Sequence, residues 1–234
     1  MKILILGGDG YLGWPTALSF SKKKHDVIVV DNFIKKKMEL EFGFKPLIPQ
    51  LSLQERAKKW NLNQDNPVKV VIGDLLNHRF VRDILSEHKP DVIVHYAEQP
   101  SAPYSMSNRE RAVFTQQNNV IGNLNLLFAI KKSCPSTHLI KLGTLGEYGT
   151  PNIDIEEGWI DIEHNGRKDR MLYPKKPGSF YHLPKVHDSA NIEFACRNWG
   201  LKCTDLNQGC LLYTSDAADD SLRVDLGGRR IIKK

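Results

Sequence analysis

The stretch Lys2–Gly13 reads KILILGGDGYLG and decides the fold. A short apolar run leads directly into glycines that satisfy both the G-x-x-G-x-x-G and the G-x-G-x-x-G spacing. Such a loop lets the chain turn tightly, lets its backbone approach a pyrophosphate, and lets the next helix pack closely on the strand. Amides at the N-terminus of that helix then meet the phosphate charge. The stretch predicts the first strand, turn and helix of a dinucleotide-binding unit.

Asp31 adds an acidic residue to this unit. It closes the second apolar run 18 positions after Gly13, where a carboxylate can accept hydrogen bonds from an adenosine ribose. A carboxylate there also repels a 2′-phosphate, so the pattern favours NAD over NADP. A glycine turn with a capping aspartate is the structural alternative, which the coincidence of strand, loop, helix and acid disfavours. We assign ten residues to the cofactor site: Gly7, Gly10, Tyr11, Leu12, Gly13, Asp31, Asn32, Asp74, Asn119 and Lys185.

Short runs rich in Val and Ile recur along the chain, with helix-length segments between most of them. This alternation is typical of βαβ units and predicts an α/β fold with a doubly wound parallel sheet, a Rossmann fold. The predicted strands are Lys2–Leu6, Val27–Val30, Val68–Ile72, Val92–His95, Leu139–Leu142 and Leu201–Leu206. The predicted helices are Tyr11–Ser21, Arg79–Glu87, Val113–Lys132 and Tyr181–Asn198. The irregular segment Phe33–Asn66 is predicted to be an insertion with one helix around Leu53–Trp60.

Composition narrows the function classes. A chain of 234 residues with 41% hydrophobic content can form one large α/β core. No apolar run approaches the roughly 20 residues that cross a bilayer, and Met1 leads into the first strand without a signal or transit peptide, so we expect a cytoplasmic protein without a membrane partner. The net charge of +6 comes from short dispersed lysine clusters, which favours solvated surface over nucleic-acid binding. The four cysteines lack metal-ligand spacing, so no metal site is expected.

The last residues of the chain differ in character from the rest. The sequence that begins at Cys210, CLLYTSDAAD, resembles a translated adapter from a sequencing library. We therefore expect Cys210–Lys234 not to be native, and residues 1–209 to form an NAD-binding Rossmann domain that carries the catalytic residues. On this interpretation a C-terminal substrate domain is missing, and the truncated chain is expected to be inactive.

Tyr181 is the only one of seven tyrosines with a lysine four residues later, which places Tyr181 and Lys185 on one helical face. An ammonium there favours the phenolate and lowers the tyrosine pKa, so that the tyrosine can exchange a proton with a substrate hydroxyl during hydride transfer. Thr144 lies at the carboxyl end of the fifth predicted strand, where open α/β sheets place ligands, and could hold the same hydroxyl. A strand-end cap is the alternative role for Thr144.

Together these motifs resemble the extended short-chain dehydrogenase/reductase family, which includes the NAD-dependent epimerases and dehydratases. The resemblance runs from Met1 to Gly209 and is most specific in the block after Leu142. The blocks that carry it are GGDGYLGW (Gly7–Trp14), SAPYSM (Ser101–Met106), QNNVIG (Gln117–Gly122), LGTLGEYGTPNIDIEEG (Leu142–Gly158), SFYHLPKVHD (Ser179–Asp188) and DLNQG (Asp205–Gly209).

Within this family the chain closely resembles a branch that makes a sulfonated sugar nucleotide for sulfolipid synthesis. It implies tightly bound NAD, UDP-glucose and sulfite, or a sulfite donor protein, as partners, and a homodimer. Thr144, Tyr181 and Lys185 would oxidise the C4 hydroxyl to a 4-keto intermediate, with the hydride going to NAD. Water would then leave from C6, sulfite would add at C6, and the hydride would return from the cofactor.

Leu145 and Gly146 follow Thr144, where related 4,6-dehydratases carry an Asp-Glu acid/base pair. Another group must therefore move the C5 proton, and His182 is the first candidate and Glu147 the second. A surface histidine is the alternative role for His182.

The chain departs from the family pattern at two positions. Pro100 stands where the family has an arginine, and Pro184 where it has a serine; Pro184 is tolerable only if its helix begins near Tyr181. Two other functions stay open: another NAD-dependent UDP-hexose 4-epimerase or 4,6-dehydratase, and a non-catalytic Rossmann protein that senses NAD.

Overall fold

The computed structural model describes residues 1–46, 48–156 and 158–209, so the segment interpreted as an adapter lies outside the described residues. Six parallel strands form one sheet in the order β3-β2-β1-β4-β5-β8. These strands are β1 (Lys2–Leu6), β2 (Asp26–Asp31), β3 (Lys69–Ile72), β4 (Val92–His95), β5 (His138–Leu142) and β8 (Lys202–Leu206). The predicted doubly wound parallel sheet is confirmed, and its strand order reverses between β1 and β4, where such sheets bind ligands.

Eight helices accompany the sheet in the part of the chain that is described. They are α1 (Gly13–Lys22), α2 (Ile34–Glu41), α3 (Leu53–Asn61), α4 (His78–His88), α5 (Ala102–Met106), α6 (Arg109–Gln116), α7 (Gly122–Ser133) and α8 (His182–Trp199). A separate antiparallel hairpin consists of β6 (Trp159–His164) and β7 (Arg167–Leu172). None of the described helices has the length and apolarity that a bilayer crossing requires.

The central strand β1 shows why the sheet is buried on both faces. Leu4 and Leu6 pack in the larger apolar cluster, which also contains side chains of α4, α7 and α8. Ile3 and Ile5 point to the other face and pack in a second cluster with Ala17 of α1 and Leu53 of α3. A strand covered on both faces carries a nearly continuous apolar run, which is the pattern that predicted it.

The predicted helix Val113–Lys132 differs from the structure. The chain forms α6 and α7 with a π-helical turn at Gln117–Ile121 between them. The wider turn shifts the helical register and buries Asn118 and Asn119, which apolar periodicity does not anticipate. The predicted helix Tyr181–Asn198 is present as α8, and Pro184 lies in its first turn, where the missing amide leaves no hydrogen bond unmade.

The segment predicted to be an insertion, residues 33–66, holds two helices, α2 and α3, among its described residues, where one was predicted. In α3, the Ser52 hydroxyl accepts a hydrogen bond from the Glu55 amide (3.2 Å), and the Glu55 carboxylate accepts one from the Ser52 amide (3.0 Å). Leu53 is fully buried, and the indole of Trp60 donates to the Ser21 hydroxyl of α1 (2.9 Å). These contacts fix α3 against the sheet. The second helix, α2, is short and lysine-rich, and its sequence lacks an apolar periodicity that would have predicted a helix.

Replacing Leu4 with Ala is expected to lower the free energy of unfolding by about 2–5 kcal/mol, because it removes buried methyl groups and leaves a cavity in the central strand. Leu40→Ala on α2 removes the same atoms from a side chain that is 78% exposed. This substitution should change the free energy of unfolding by less than about 0.5 kcal/mol. Urea denaturation followed by circular dichroism measures both. Equal effects of the two substitutions would contradict the assigned core.

Candidate active site

A cavity of about 300 Å³ opens at the carboxyl ends of the parallel strands. Its lining comes from the glycine loop, from the residues after β2 and β3, and from the segment after β4. The lining residues that matter here are Gly7, Asp9, Gly10, Tyr11, Leu12, Gly13, Asp31, Asn32, Gly73, Asp74, Tyr96, Ala97, Glu98, Pro100, Asn118 and Leu142. Eight of the ten residues predicted to hold the cofactor line this cavity.

The glycine loop packs too closely for side chains at its two ends. A Cβ on Gly13 would lie 2.0 Å from the Gly7 carbonyl oxygen. Gly7 has a φ of +86°, and a Cβ there would lie 2.9 Å from the Ala97 amide nitrogen. The loop therefore lies directly between β4 and the start of α1 with its backbone open to the cavity. This closely packed glycine loop at a helix N-terminus fits a pyrophosphate.

Asp31 ends β2 at the rim of the same cavity. Its carboxylate accepts hydrogen bonds from the Asp9 amide (2.8 Å) and the Phe33 amide (2.7 Å). Burial raises the pKa of Asp31, and the two amide donors oppose that rise. Each carboxylate oxygen can accept a further hydrogen bond, so the group remains able to take ribose hydroxyls. Beside it, the Asn32 amide donates to the Asp74 carboxylate (3.1 Å).

Asn119 and Lys185, the other two predicted cofactor residues, lie one layer behind the cavity. The Asn119 side chain is buried, accepts from the Gln99 amide (2.9 Å) and donates to the Gln99 carbonyl (3.2 Å). The Lys185 ammonium forms an ion pair with Glu98, and it is Glu98 that lines the cavity. Their roles as cofactor ligands stay predictions.

Tyr181 and Lys185 lie one turn apart at the start of α8. The Lys185 ammonium donates to the Leu142 carbonyl (2.6 Å) and lies 5.9 Å from the centroid of the Tyr181 ring. Burial raises the pKa of Tyr181 to about 12, the Glu98 carboxylate adds to the rise, and the Lys141 ammonium opposes it. The lowered pKa predicted for Tyr181 is therefore wrong, because burial and the Glu98 carboxylate raise it.

The ion pair behind the cavity belongs to a larger buried network. The Lys141 ammonium lies 3.1 Å from Glu98 and 3.3 Å from Asp188, and the Asn123 amide donates to Asp188 (3.1 Å). Burial acts to raise the pKa of Glu98, but the ammonium groups of Lys141 and Lys185 outweigh it and hold that pKa well below its usual range. The ion pairs join the segment after β4 to β5 and α8, and burial raises the pKa of Asp188 well above its usual range.

Thr144 and His182 meet on either side of Gly146. The Thr144 hydroxyl accepts a hydrogen bond from the Gly146 amide (3.2 Å), so the predicted strand-end cap exists. A Cβ on Gly146 would lie 2.4 Å from the His182 imidazole, whose Nδ1 is 3.0 Å from the Ser179 hydroxyl. Burial lowers the pKa of His182. Glycine at position 146 therefore makes room for the imidazole.

Glu147, the second candidate proton carrier, is fully buried on the far side of this turn. Its carboxylate pairs with the Lys175 ammonium and accepts a hydrogen bond from the Ser189 hydroxyl (2.8 Å).

No cluster of three or more His, Cys, Asp or Glu side chains suited to a metal ion occurs among the described residues.

The residues that sequence reasoning missed are Glu98, Lys141 and Asp188. Glu98 follows β4 at the same sheet edge as the glycine loop, and the rule that ligands bind at the carboxyl ends of strands could have identified it. Lys141 and Asp188 gave no signal, because a lysine within a strand and an aspartate within a helix read as exposed until their partners are known.

Comparisons with known proteins agree with this architecture. A UDP-sulfoquinovose synthase from Spinacia oleracea, described as chloroplastic, is 52% identical over 208 residues, which are 89% of this chain and 43% of the spinach protein. One from Sulfolobus acidocaldarius is 40% identical over 226 residues, covering 95% of this chain and 58% of the relative. The chain therefore spans about half the length of the curated relatives it matches.

Solved structures of UDP-glucose 4-epimerases share the fold. The enzyme from Bifidobacterium longum, crystallised with NAD+ and UDP, superposes with a TM-score of 0.64 at 20% identity and covers 88% of this chain and 52% of its own. The enzyme from Thermotoga maritima, crystallised with UDP-glucose, gives a TM-score of 0.62 at 22% identity over 88% and 55% of the two chains. Residues 3–187 match the family model, and the chain belongs to the NAD dependent epimerase/dehydratase family.

Proposed function

We propose that this chain binds NAD and forms part of an enzyme that converts UDP-glucose and sulfite to UDP-sulfoquinovose. The observation that carries the proposal is that one cavity joins the glycine loop and Asp31 to Glu98, the ion-pair partner of Lys185. A dinucleotide in that cavity would run from the ribose-binding carboxylate towards the Tyr181–Lys185 pair. The 52% and 40% identities to UDP-sulfoquinovose synthases support the choice of substrates.

NAD, when bound, accepts a hydride from the sugar and later returns it. The loop amides from Gly7 to Gly13 would hold its pyrophosphate, and Asp31 would accept hydrogen bonds from its adenosine ribose. Asn32 and Asp74 lie beside Asp31 and would flank the adenine end of NAD.

Tyr181 would exchange the proton of the sugar C4 hydroxyl, and the Thr144 hydroxyl would orient that group. A role of Lys185 in favouring the phenolate stays a prediction, because its ammonium is paired with Glu98. The Tyr181 pKa near 12 favours the protonated phenol, which is the form needed to return the proton when the C4 carbonyl is reduced at the end of the cycle.

His182 is the better supported carrier of the C5 proton. Its imidazole fills the space over Gly146 that a glutamate side chain would take in a Thr-Asp-Glu sequence. Burial lowers its pKa, so the neutral ring is available as a base near neutral pH. Glu147 is less suited, because its carboxylate is engaged by Lys175 and Ser189 away from solvent.

A 4-epimerase is the second candidate. UDP-glucose 4-epimerases share 24–28% identity with the chain, and solved epimerases share its fold. Their products require no sulfite, so the sulfite requirement of the product separates the two functions. A pure NAD sensor is disfavoured by the position of Tyr181 and Lys185 beside the cavity.

We also propose a homodimer and an inactive isolated chain. Phe128 of α7 and Phe194 of α8 are 56% and 50% exposed and pack around Trp199, which forms an outward aromatic surface suited to a second copy. The chain corresponds to only part of its relatives, so turnover would need the longer protein. A sulfite donor protein and a cytoplasmic location stay predictions.

Asp31→Asn is expected to weaken NAD binding to the 234-residue chain by about tenfold, because the ribose hydroxyls lose a charged acceptor. Discrimination against NADP should fall in the same variant. Asp26→Asn, at the opposite end of β2, is the matched control and should leave both unchanged. Isothermal titration calorimetry measures the affinities, and unchanged NAD affinity in Asp31→Asn would contradict the assigned ribose site.

Tyr181→Phe in the full-length enzyme is expected to lower formation of UDP-sulfoquinovose by about a hundredfold or more, because the proton-exchanging hydroxyl is lost. NAD binding should persist, since Tyr181 does not line the cavity. Tyr104→Phe removes a hydroxyl elsewhere and should keep full activity. Product formation is followed by mass spectrometry with and without sulfite; normal turnover by Tyr181→Phe would overturn the catalytic assignment.

His182→Gln is expected to abolish incorporation of solvent deuterium at the sugar C5 while the 4-keto sugar still forms and can be trapped with borohydride. The reason is that only the C5 proton transfer depends on the imidazole. Glu147→Gln serves as the comparison and should still exchange C5 deuterium if it folds. Retained exchange in His182→Gln would assign the C5 proton to another group.

A further inference from the structure

The insertion reaches the glycine loop through Asp9. This side chain is 8% exposed, and its carboxylate pairs with the Arg56 guanidinium of α3. The Lys36 ammonium of α2 lies 2.9 Å from the other carboxylate oxygen. The Arg56 guanidinium also donates to the Asp9 carbonyl (3.4 Å) and lies 5.0 Å from the centroid of the Trp14 ring.

A carboxylate in a phosphate-binding loop is electrostatically unfavourable. Asp9 lies between Gly8 and Gly10 and lines the same cavity as the rest of the loop. Its charge would repel a diphosphate held by the neighbouring amides. Arg56 and Lys36 both pair with this carboxylate and offset its charge.

Arg56 is held in place by contacts that do not depend on a ligand. Its helix begins with the Ser52–Glu55 capping box, and the same helix buries Ala57 and places Leu53 in the second apolar cluster. Lys36 lies on the shorter helix α2, and its side chain is 39% exposed. The stronger and more rigid of the two partners is therefore Arg56.

We infer that α2 and α3 form a cofactor-positioning element, in which Arg56 and Lys36 neutralise Asp9 and fix the glycine loop in its diphosphate-binding form. Arg56 acts through Asp9 and is a positioning residue. The inference rests on the proposed NAD binding. It explains why an insertion with so little apolar surface on α2 lies at the end of β2, next to the loop.

Arg56→Met in the 234-residue chain is expected to weaken NAD binding by about tenfold, because the charge of Asp9 is no longer balanced. Adding Asp9→Asn should restore the affinity to within about threefold of the unsubstituted chain, since no charge is then left to balance. Binding of adenosine, which carries no phosphate, should change by less than about twofold in both variants. Calorimetry measures NAD binding and NMR titration measures adenosine binding.

Two further variants keep the test decisive. Lys58→Met removes a cation from the exposed side of the same helix and should leave NAD affinity unchanged. If Arg56→Met lowers the melting temperature so far that the chain is unfolded, Lys36→Met takes its place, with an expected loss of about threefold that Asp9→Asn again reverses.

The possible results distinguish failure of the positioning role from failure of the proposed NAD binding. Unchanged NAD affinity in Arg56→Met and Lys36→Met, or a loss that Asp9→Asn does not reverse, would overturn the positioning role. An equal loss for adenosine and NAD would also overturn it, because the effect would then not depend on phosphate charge. Absence of NAD binding in the unsubstituted chain would instead refute the proposed function.

Discussion

The close approach of backbone to backbone at the glycine loop is the constraint from which the site follows. A Cβ at Gly13 would come within 2.0 Å of the Gly7 carbonyl, and one at Gly7 within 2.9 Å of the Ala97 amide. Only with glycine at both positions can α1 start directly on the end of β1 while β4 lies alongside. The amides at the start of α1 and the carboxylate of Asp31 then face one cavity. The glycine loop therefore determines both how α1 and β4 pack around β1 and which groups face a ligand in the cavity.

Buried charge organises the other end of the cavity. Four charged residues come from β5, α8 and the segment after β4, and their side chains are almost completely removed from solvent: Glu98, Lys141, Lys185 and Asp188. Each charge has a partner of opposite sign, so removal of one member would leave a buried charge uncompensated. The network therefore fixes Lys185 relative to Tyr181, although it also offsets part of the positive charge that would lower the pKa of Tyr181.

Apolar runs and glycine spacing in the sequence predicted those elements of the fold whose structure depends on neighbouring residues. The apolar runs of β1, β2 and β4 and the spacing of the glycines identified the sheet, the loop and eight of the residues that line the cavity. The π-helical turn at Gln117–Ile121 was missed because it carries no apolar period. The hairpin β6–β7 was missed although its Asn165-Gly166 turn, in which both residues have a positive φ, is a local hairpin signal. The pairings of Asp9 with Arg56 and of Glu98 with Lys185 were out of reach as well. They join residues 47 and 87 positions apart, which only the folded topology brings together.

The central claim is that the cavity between the glycine loop and Glu98 is an NAD site. Native mass spectrometry of the folded 234-residue chain incubated with equal amounts of NAD and NADP tests it most directly. The account predicts a complex of one NAD per chain, with NADP displaced because Asp31 repels its 2′-phosphate. A folded chain that carries no dinucleotide, or that prefers NADP, would contradict it.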